Sequence, residues 1–389
     1  MSLKALRTKV KSSKFLYKLY FALGSLGIGF LKIFTRPKKL ILFNSFGGKK
    51  YDDSPKEIYL KMIEDHFFDD YDIVWAFHSP DDFEIPKGRK IKADTFKYFV
   101  TALQARVWVT NSGIERGLSF KGKKTIYLNT WHGTPIKKMG NDIAASNQSF
   151  KSYSKNHTDL MNAQSDFEAD VFSRVFGIEI GKFIKVGLPR NDRLVDVSIE
   201  EKKAVREKLG IKDECKVILY APTFREYCKN EKGEVSCDFP FDMQQWKNMG
   251  KNSLILFRAH YEVSRFLNLP SNDSHIRDVS SYPNLNDLII ASDILISDYS
   301  SIIFDYALTD KPIVLFTYDY DQYAKERGVY FDIREWFQSA ETESELIDII
   351  KNINVEQEKR RVKSFKENYL QYYGNAAGKS VDILKEKLG

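Results

Sequence analysis

From residue 40 to residue 317 short apolar runs alternate with helix-like stretches, and a polar or glycine cluster follows nearly every run. Runs at 40–46, 72–77, 106–113 and 124–130 read as strands, as does the start of 183–192 before its polar loop. Between them, 54–66, 95–104 and 157–177 read as helices, with Ser54 as N-cap and Pro55 at the first helical position. A second set repeats the pattern: strands at 216–226, 253–261, 276–281, 293–298 and 311–317, helices at 242–250, 284–292 and 300–310. The last sixty residues read as helical and charged. Strand–helix alternation implies parallel sheets with right-handed crossovers. Two sets joined near 195–212 predict two Rossmann-like halves. Ligands of such sheets bind at the carboxyl ends of the strands, so a two-domain version is expected to hold its site in the cleft.

Several function classes lack their signatures. There is no G-x-G-x-x-G, no G-x-x-x-x-G-K-[ST] and no G-x-S-x-G, which argues against a dehydrogenase, a P-loop NTPase and an α/β-hydrolase. Cys215, Cys228 and Cys237 are odd in number and too widely spaced for C-x-x-C, so they read as free thiols and not as a zinc site. Twelve of the 60 Lys and Arg precede Asp52, the first acid, which leaves 48 bases against 53 acids in the rest. The basicity therefore belongs to the N-terminus, and a nucleic-acid partner is not expected. In that segment the longest uncharged run, Leu19 to Leu31, is 13 residues, short of the roughly 20 that span a bilayer. No A-x-A-like cleavage site follows. Its aromatics and lysines suit a segment lying in a membrane interface, or a basic helix packed on the body.

The residues after the strands carry the chemistry. "NTWHGTPIKKMG" (129–140) places His132 where a strand ends. It reads either as a core histidine beside a turn or as a base, since an imidazole near its intrinsic pKa can take a proton from an alcohol. Gly133 would let a substrate approach the backbone, and Thr134 can donate a hydrogen bond. Lys137 and Lys138 are either exposed lysines or contacts to an acidic substrate. In "FRAHY", Arg258 and His260 share a face if the strand continues, an arrangement that suits a pyrophosphate or a strand-end salt bridge. "SDYSSIIFDYA" passes from strand to helix, where Ser300 or Ser301 can cap the helix while the first-turn N–H groups form an anion site. Asp305, one turn on, is either a solvated acid or a ribose contact. "DYD" at 319–321 matches a metal-binding string too short to be specific. His66, His78, His157 and His275 have no such neighbours and read as structural or surface residues.

Taken in order, "FNSFGGKKYDDSPKEIY", "NTWHGTPIKKMG", "GLPRNDRL", "YAPTFRE", "FRAH" and "ISDYSSIIFDYALTDKPIVLFTYDYDQYAKERGVYFD" resemble the CDP-glycerol glycerophosphotransferase family of teichoic acid primases and polymerases. The resemblance covers roughly residues 40–335. It implies an α/β fold of GT-B type: a basic membrane-associating segment (1–39), an acceptor-side Rossmann-like domain (40–197) and a CDP-alditol-binding one with terminal helices (198–389). It implies that glycerol phosphate passes from CDP-glycerol to the hydroxyl end of a lipid-linked teichoic acid precursor, with release of CMP and without a metal or cofactor. CDP-ribitol is the alternative donor. More distant alternatives are a UDP-sugar glycosyltransferase and a non-catalytic scaffold. His132 corresponds to the catalytic base, and His260 to the essential histidine on the donor phosphates with Arg258 and Ala259. Ser300 and Ser301 correspond to pyrophosphate ligands and Asp305 to a further donor contact. Pro222 and Thr223 would line the cytidine side, and Arg190, less surely Arg193, would reach the donor. Trp131, Gly133, Thr134 and Pro135 complete the substrate-binding set. A peripheral place on the cytoplasmic face of the membrane is implied, and a homo-oligomer is possible. Because the first Rossmann unit begins near residue 40, the chain matches the shorter members of the family.

Overall fold

A computed structural model of the chain describes residues 13–143, 156–223, 225, 240–247, 249, 252–259 and 275–389. It divides into two units: Met1–His132, Met139–Asp192 and Tyr372–Gly389 form the first, and Gly133–Lys138 with Arg193–Gln371 the second. This division differs from the expected boundaries: the N-terminal segment is grouped with the first unit, and residues 193–197 with the second. The loop after His132 falls in the second unit, and the last helix falls in the first.

The first unit holds seven parallel strands: β1 (Lys38–Asn44), β2 (Asp72–Phe77), β3 (Arg89–Lys92), β4 (Ala105–Thr110), β5 (Ile126–Asn129), β6 (Leu160–Ala163) and β7 (Phe183–Lys185). Their order is β3-β2-β1-β4-β5-β6-β7. The second holds β8 (Lys216–Tyr220), β9 (Ser253–Phe257), β10 (Ile276–Asp278), β11 (Ile294–Ser297), β12 (Ile313–Phe316) and β13 (Gln338–Ala340), in the order β10-β9-β8-β11-β12-β13. Both are doubly wound, and in each the order reverses once, between β1 and β4 and between β8 and β11. Ligands of such sheets bind outside the carboxyl ends at that reversal.

Period-2 patterning explains why these runs are buried on both faces. In β1, Ile41 and Phe43 pack with Ile58, Tyr59 and Met62 on one side, while Leu40 and Leu42 pack with Tyr98 and Ala102 on the other. β8 does the same: Val217 and Leu219 face a cluster with Leu288, Ile303 and Phe365, and Ile218 and Tyr220 face one with Trp246 and Leu346. Three strands escape the sequence reading. β6 lies inside the expected helix 157–177, which is instead β6 followed by a helix at Asp166–Phe176 capped by Ser165. Four residues before a helix, one of them the polar Asn162, do not display a period of their own. β3 and β13 are equally short edge strands.

Ser54 is not the N-cap of its helix. The helix runs Asp53–Ile63 with Asp52 at the cap. The C-terminal helix Ala376–Leu388 belongs to the first unit because Val381 and Leu384 complete the cluster around Ile58 and Met62, and Lys385 pairs with Asp65 at 2.7 Å.

The N-terminal helix Lys14–Phe34 is long and apolar enough to cross a membrane by length and composition. One face, however, is bound to the first unit. Tyr20 Oη donates to Arg116 O (3.2 Å), Ser25 Oγ accepts from Ser119 N (3.1 Å) and Lys32 Nζ donates to Lys121 O (2.9 Å), while Ile28 is buried. Phe15, Leu19, Leu23, Leu26, Phe30 and Ile33 are exposed. Their spacing of three and four residues makes one continuous apolar stripe along the opposite face.

Leu384 is fully buried in the cluster that the last helix completes. Leu384→Ala is expected to cost about 2–5 kcal/mol, read as a lower urea midpoint for unfolding of the first unit.

Candidate active site

Three strand ends converge around His132. Asn111, after β4, accepts from Phe46 N through Oδ1 at 2.7 Å, and Ser112 Oγ accepts from Gly47 N at 2.9 Å, which ties the loop after β1 to that after β4. Asn129, at the end of β5, accepts from Trp131 N at 2.9 Å and donates to Ser112 O at 3.1 Å. This holds Trp131 at φ 50, in the left-handed region. Its indole stacks on the His132 ring with centroids 4.2 Å apart and is wedged against Phe172 and Phe176.

His132 Nδ1 lies 2.7 Å from Asn111 O. A carbonyl can only accept, so Nδ1 carries the proton and the Nε2 lone pair of the neutral ring is left as the base. Burial holds the imidazolium below the usual value of 6.5; the bond to Asn111 and the Asp53 carboxylate oppose this, and Arg190 adds to it. The ring is therefore neutral at physiological pH. Arg190 Nη1 donates to His132 O (2.9 Å) and pairs with Asp53 Oδ2 (3.0 Å), and Arg190 N donates to Ser54 Oγ (3.3 Å). Asn111 itself is completely buried, and its Nδ2 donor has no partner among the described residues.

Gly133, Thr134 and Pro135 are buried in the second unit. Gly133 has φ 137, which a side chain rarely adopts. Lys137 forms a bridge with Val329, and Lys138 N donates to Gly328 O at 2.9 Å, so this lysine pair is half-buried backbone packing and not a solvated patch.

The second unit gathers its polar residues around β8 and β11. Asp298, after β11 and 2% exposed, accepts from Thr223 N and Oγ1, the latter at 2.6 Å, and from Tyr299 N. Arg225 Nη1 pairs with Asp298 at 2.8 Å, while Nε and Nη2 hold both oxygens of Asp319 at 2.6 and 2.8 Å. Its guanidinium lies among the rings of Tyr299, Tyr318 and Tyr323. Burial would pull its pKa down, but the two carboxylates hold it above the usual arginine value. Asp319 of the "DYD" string is thus a partner of arginine, and no metal-binding cluster occurs among the described residues.

The other expected residues spread around this network. Pro222 and Thr223 follow β8. Ser300 and Ser301 are half-buried ahead of the helix Ile302–Ala307, shorter than the expected 300–310 because its last turn tightens to i+3 bonds. Ser301 makes no capping bond through its side chain. Asp305 is only 2% exposed, so it is not a solvated acid. β9 ends at Phe257. Arg258 Nη1 donates to Val279 O and Tyr282 O (3.2 and 2.7 Å), and Ala259 N donates to Ser280 Oγ. His260 lies outside the described residues. Arg193 pairs with Asp287 at 2.6 Å and with Glu201 at 2.7 Å, which gives it a structural role. Sequence reasoning gave no role to Asp53, Asn111 or Asp298, and read Asp319 only as part of the "DYD" string. An acid or amide next to a strand end was the available signal.

The family described as CDP-glycerol:poly(glycerophosphate) glycerophosphotransferase matches residues 30–384. The chain belongs to this family. Its two parallel sheets make the GT-B fold, and it is an enzyme of the CDP-glycerol glycerophosphotransferase class. It is 33% identical over 311 residues to a teichoic acid poly(glycerol phosphate) polymerase of Staphylococcus epidermidis, covering 76% of this chain but 43% of that protein, so it spans less than half of that relative. It is 31% identical over 337 residues to a teichoic acid glycerol-phosphate transferase of Staphylococcus aureus, covering 82% of this chain and 84% of the relative. A variant of the wall teichoic acid polymerase TagF soaked with CDPG is similar in structure, with a TM-score of 0.80 at 29% identity, covering 92% of this chain and 90% of the chain in that structure.

Arg225→Met is expected to leave Asp298 and Asp319 buried without their cation, at a cost of about 3–5 kcal/mol in urea unfolding of the second unit. Arg225→Lys, which cannot reach both carboxylates in a fork, should fall between it and the native chain.

Proposed function

We propose that the chain transfers glycerol phosphate from CDP-glycerol to the terminal hydroxyl of a lipid-linked teichoic acid precursor and releases CMP. The observation that carries this reading is the neutral His132, whose Nδ1–H is committed to Asn111 O and whose Nε2 is left basic. The acceptor oxygen attacks the phosphorus that bears glycerol, and its proton passes to Nε2. The bond from that phosphorus to the bridging oxygen breaks, and CMP carries the electron pair away. Stabilisation of the charge on the transferring group is assigned to Ser300, Ser301 and Arg258, together with His260, which is carried over from the family motif. Such stabilisation contributes more to phosphoryl transfer than the base does. Pro222 and Thr223 are assigned to the cytidine, Asp305 to a donor hydroxyl, and Trp131, Gly133, Thr134 and Pro135 to the surroundings of the reacting groups. Arg190 acts on His132 through its carbonyl and on Asp53. The exposed stripe of the N-terminal helix supports a peripheral place on the membrane, its apolar face in the interface.

The test is transfer of radiolabelled glycerol phosphate to a synthetic lipid acceptor, with CDP-ribitol and UDP-sugars as competing donors. His132→Ala is expected to lower turnover by about 100-fold or more. Near-normal transfer by that variant would defeat the assignment, and preference for CDP-ribitol would change the donor. The pH profile provides a second check. A neutral base works above its own pKa, and burial lowers that pKa, so the acid limb of kcat/KM should lie below 6.5. Asp53→Asn removes a carboxylate that favours the imidazolium and should move the limb further down.

A further inference from the structure

The amino ends of β4, β5 and β6 lie at the edge of the first sheet opposite His132. There the unit has a cavity of about 630 Å3, lined by Arg106, Lys123, Lys124, Thr125, Ile126, Asp159 and Lys387. Four of these seven residues are cations, and none of the four forms an ion pair among the described residues. The one carboxylate is already neutralised: Asp159 pairs with Lys121 at 2.7 Å and accepts from Tyr127 N at 2.9 Å. Arg106 is the decisive residue. Its side chain is half-buried, and its Nε is buried with no hydrogen-bond partner among the described residues. A group that offers several acceptor oxygens and negative charge suits this set: a phosphate ester can meet the half-buried guanidinium, with the exposed lysines adding point charge.

The surroundings identify the source. Lys32 of the N-terminal helix donates to Lys121 O at 2.9 Å, at the start of the turn that carries Lys123 and Lys124. The cavity is thus next to the end of the helix where Phe30 and Ile33 are exposed. An apolar stripe beside a basic pocket is the pairing that an anionic bilayer surface offers in reverse.

We propose that this cavity binds the phosphate headgroup of an anionic lipid. The site is separate from the transfer chemistry, and its test does not use transfer. Flotation of the full chain is measured on vesicles of phosphatidylcholine, with and without phosphatidylglycerol. Arg106→Gln with Lys124→Gln is expected to weaken binding to the phosphatidylglycerol vesicles about 30-fold. Binding to phosphatidylcholine alone, which rests on the apolar stripe, should stay as in the native chain. Lys203→Gln with Lys212→Gln removes the same charge from exposed positions of the second unit and should have little effect. Equal losses in the two double variants, or no loss in the first, would overturn the proposal. A calorimetric titration with glycerol 3-phosphate separates the sources: saturable binding lost in the Arg106 variant, with vesicle binding unchanged, would overturn the lipid and leave a soluble phosphate ester as the ligand. If the first variant fails to fold, Lys123→Gln with Lys387→Gln, both exposed, gives the same reading.

Discussion

Parallel pairing is the constraint on which the rest of the molecule depends. Strands that all run one way bring every carboxyl end to one edge of a sheet, and each connection must return along a face. The main-chain groups at that edge have no further strand to bond, so side chains must satisfy them. In the first unit Asn111, Ser112 and Asn129 do this, and the loops they tie together hold His132. In the second unit Asp298 does it for Thr223 and Tyr299, and Arg225 then holds Asp298. The chemistry at each edge is built from the groups that close the sheet.

This explains the kind of histidine that results. Its ring is fixed by two different means, a stacked indole and a main-chain carbonyl, and neither titrates. The proton on Nδ1 is therefore set by the backbone just after β4 and not by a carboxylate partner. Asp53 and Arg190 act at one remove, on the carbonyl and the field around the ring. A base arranged this way keeps one tautomer at any pH at which the ring is neutral and the sheet is folded.

Much of this was legible before any coordinates. Nine apolar runs, bounded by polar clusters, marked nine of the thirteen strands near their places, because Ile, Leu and Val in short runs suit a doubly covered sheet; β7 was also read, at the start of 183–192. The missed strands, β3, β6 and β13, have three or four residues each, too few to show a period. His132 was singled out by its place at a strand end, which left a core histidine and a base both open; the motifs in series, and the family they resemble, marked it as the base. Arg225 and Asp319 were not understood, because their partners are 73 and 94 residues away from the arginine and nothing local announces an ion pair at that separation. The C-terminal helix was placed with the wrong half for the same reason: Leu384 packs against Ile58 and Met62, and only the folded chain brings them together.

The N-terminal helix has a consequence beyond adhesion. Bonds from Tyr20, Ser25 and Lys32 clamp it at three successive levels, so it cannot roll about its long axis. A stripe that cannot roll gives the unit a single tilt against any apolar layer it enters. His132, rigidly part of the same unit, then stands at one fixed height above that layer.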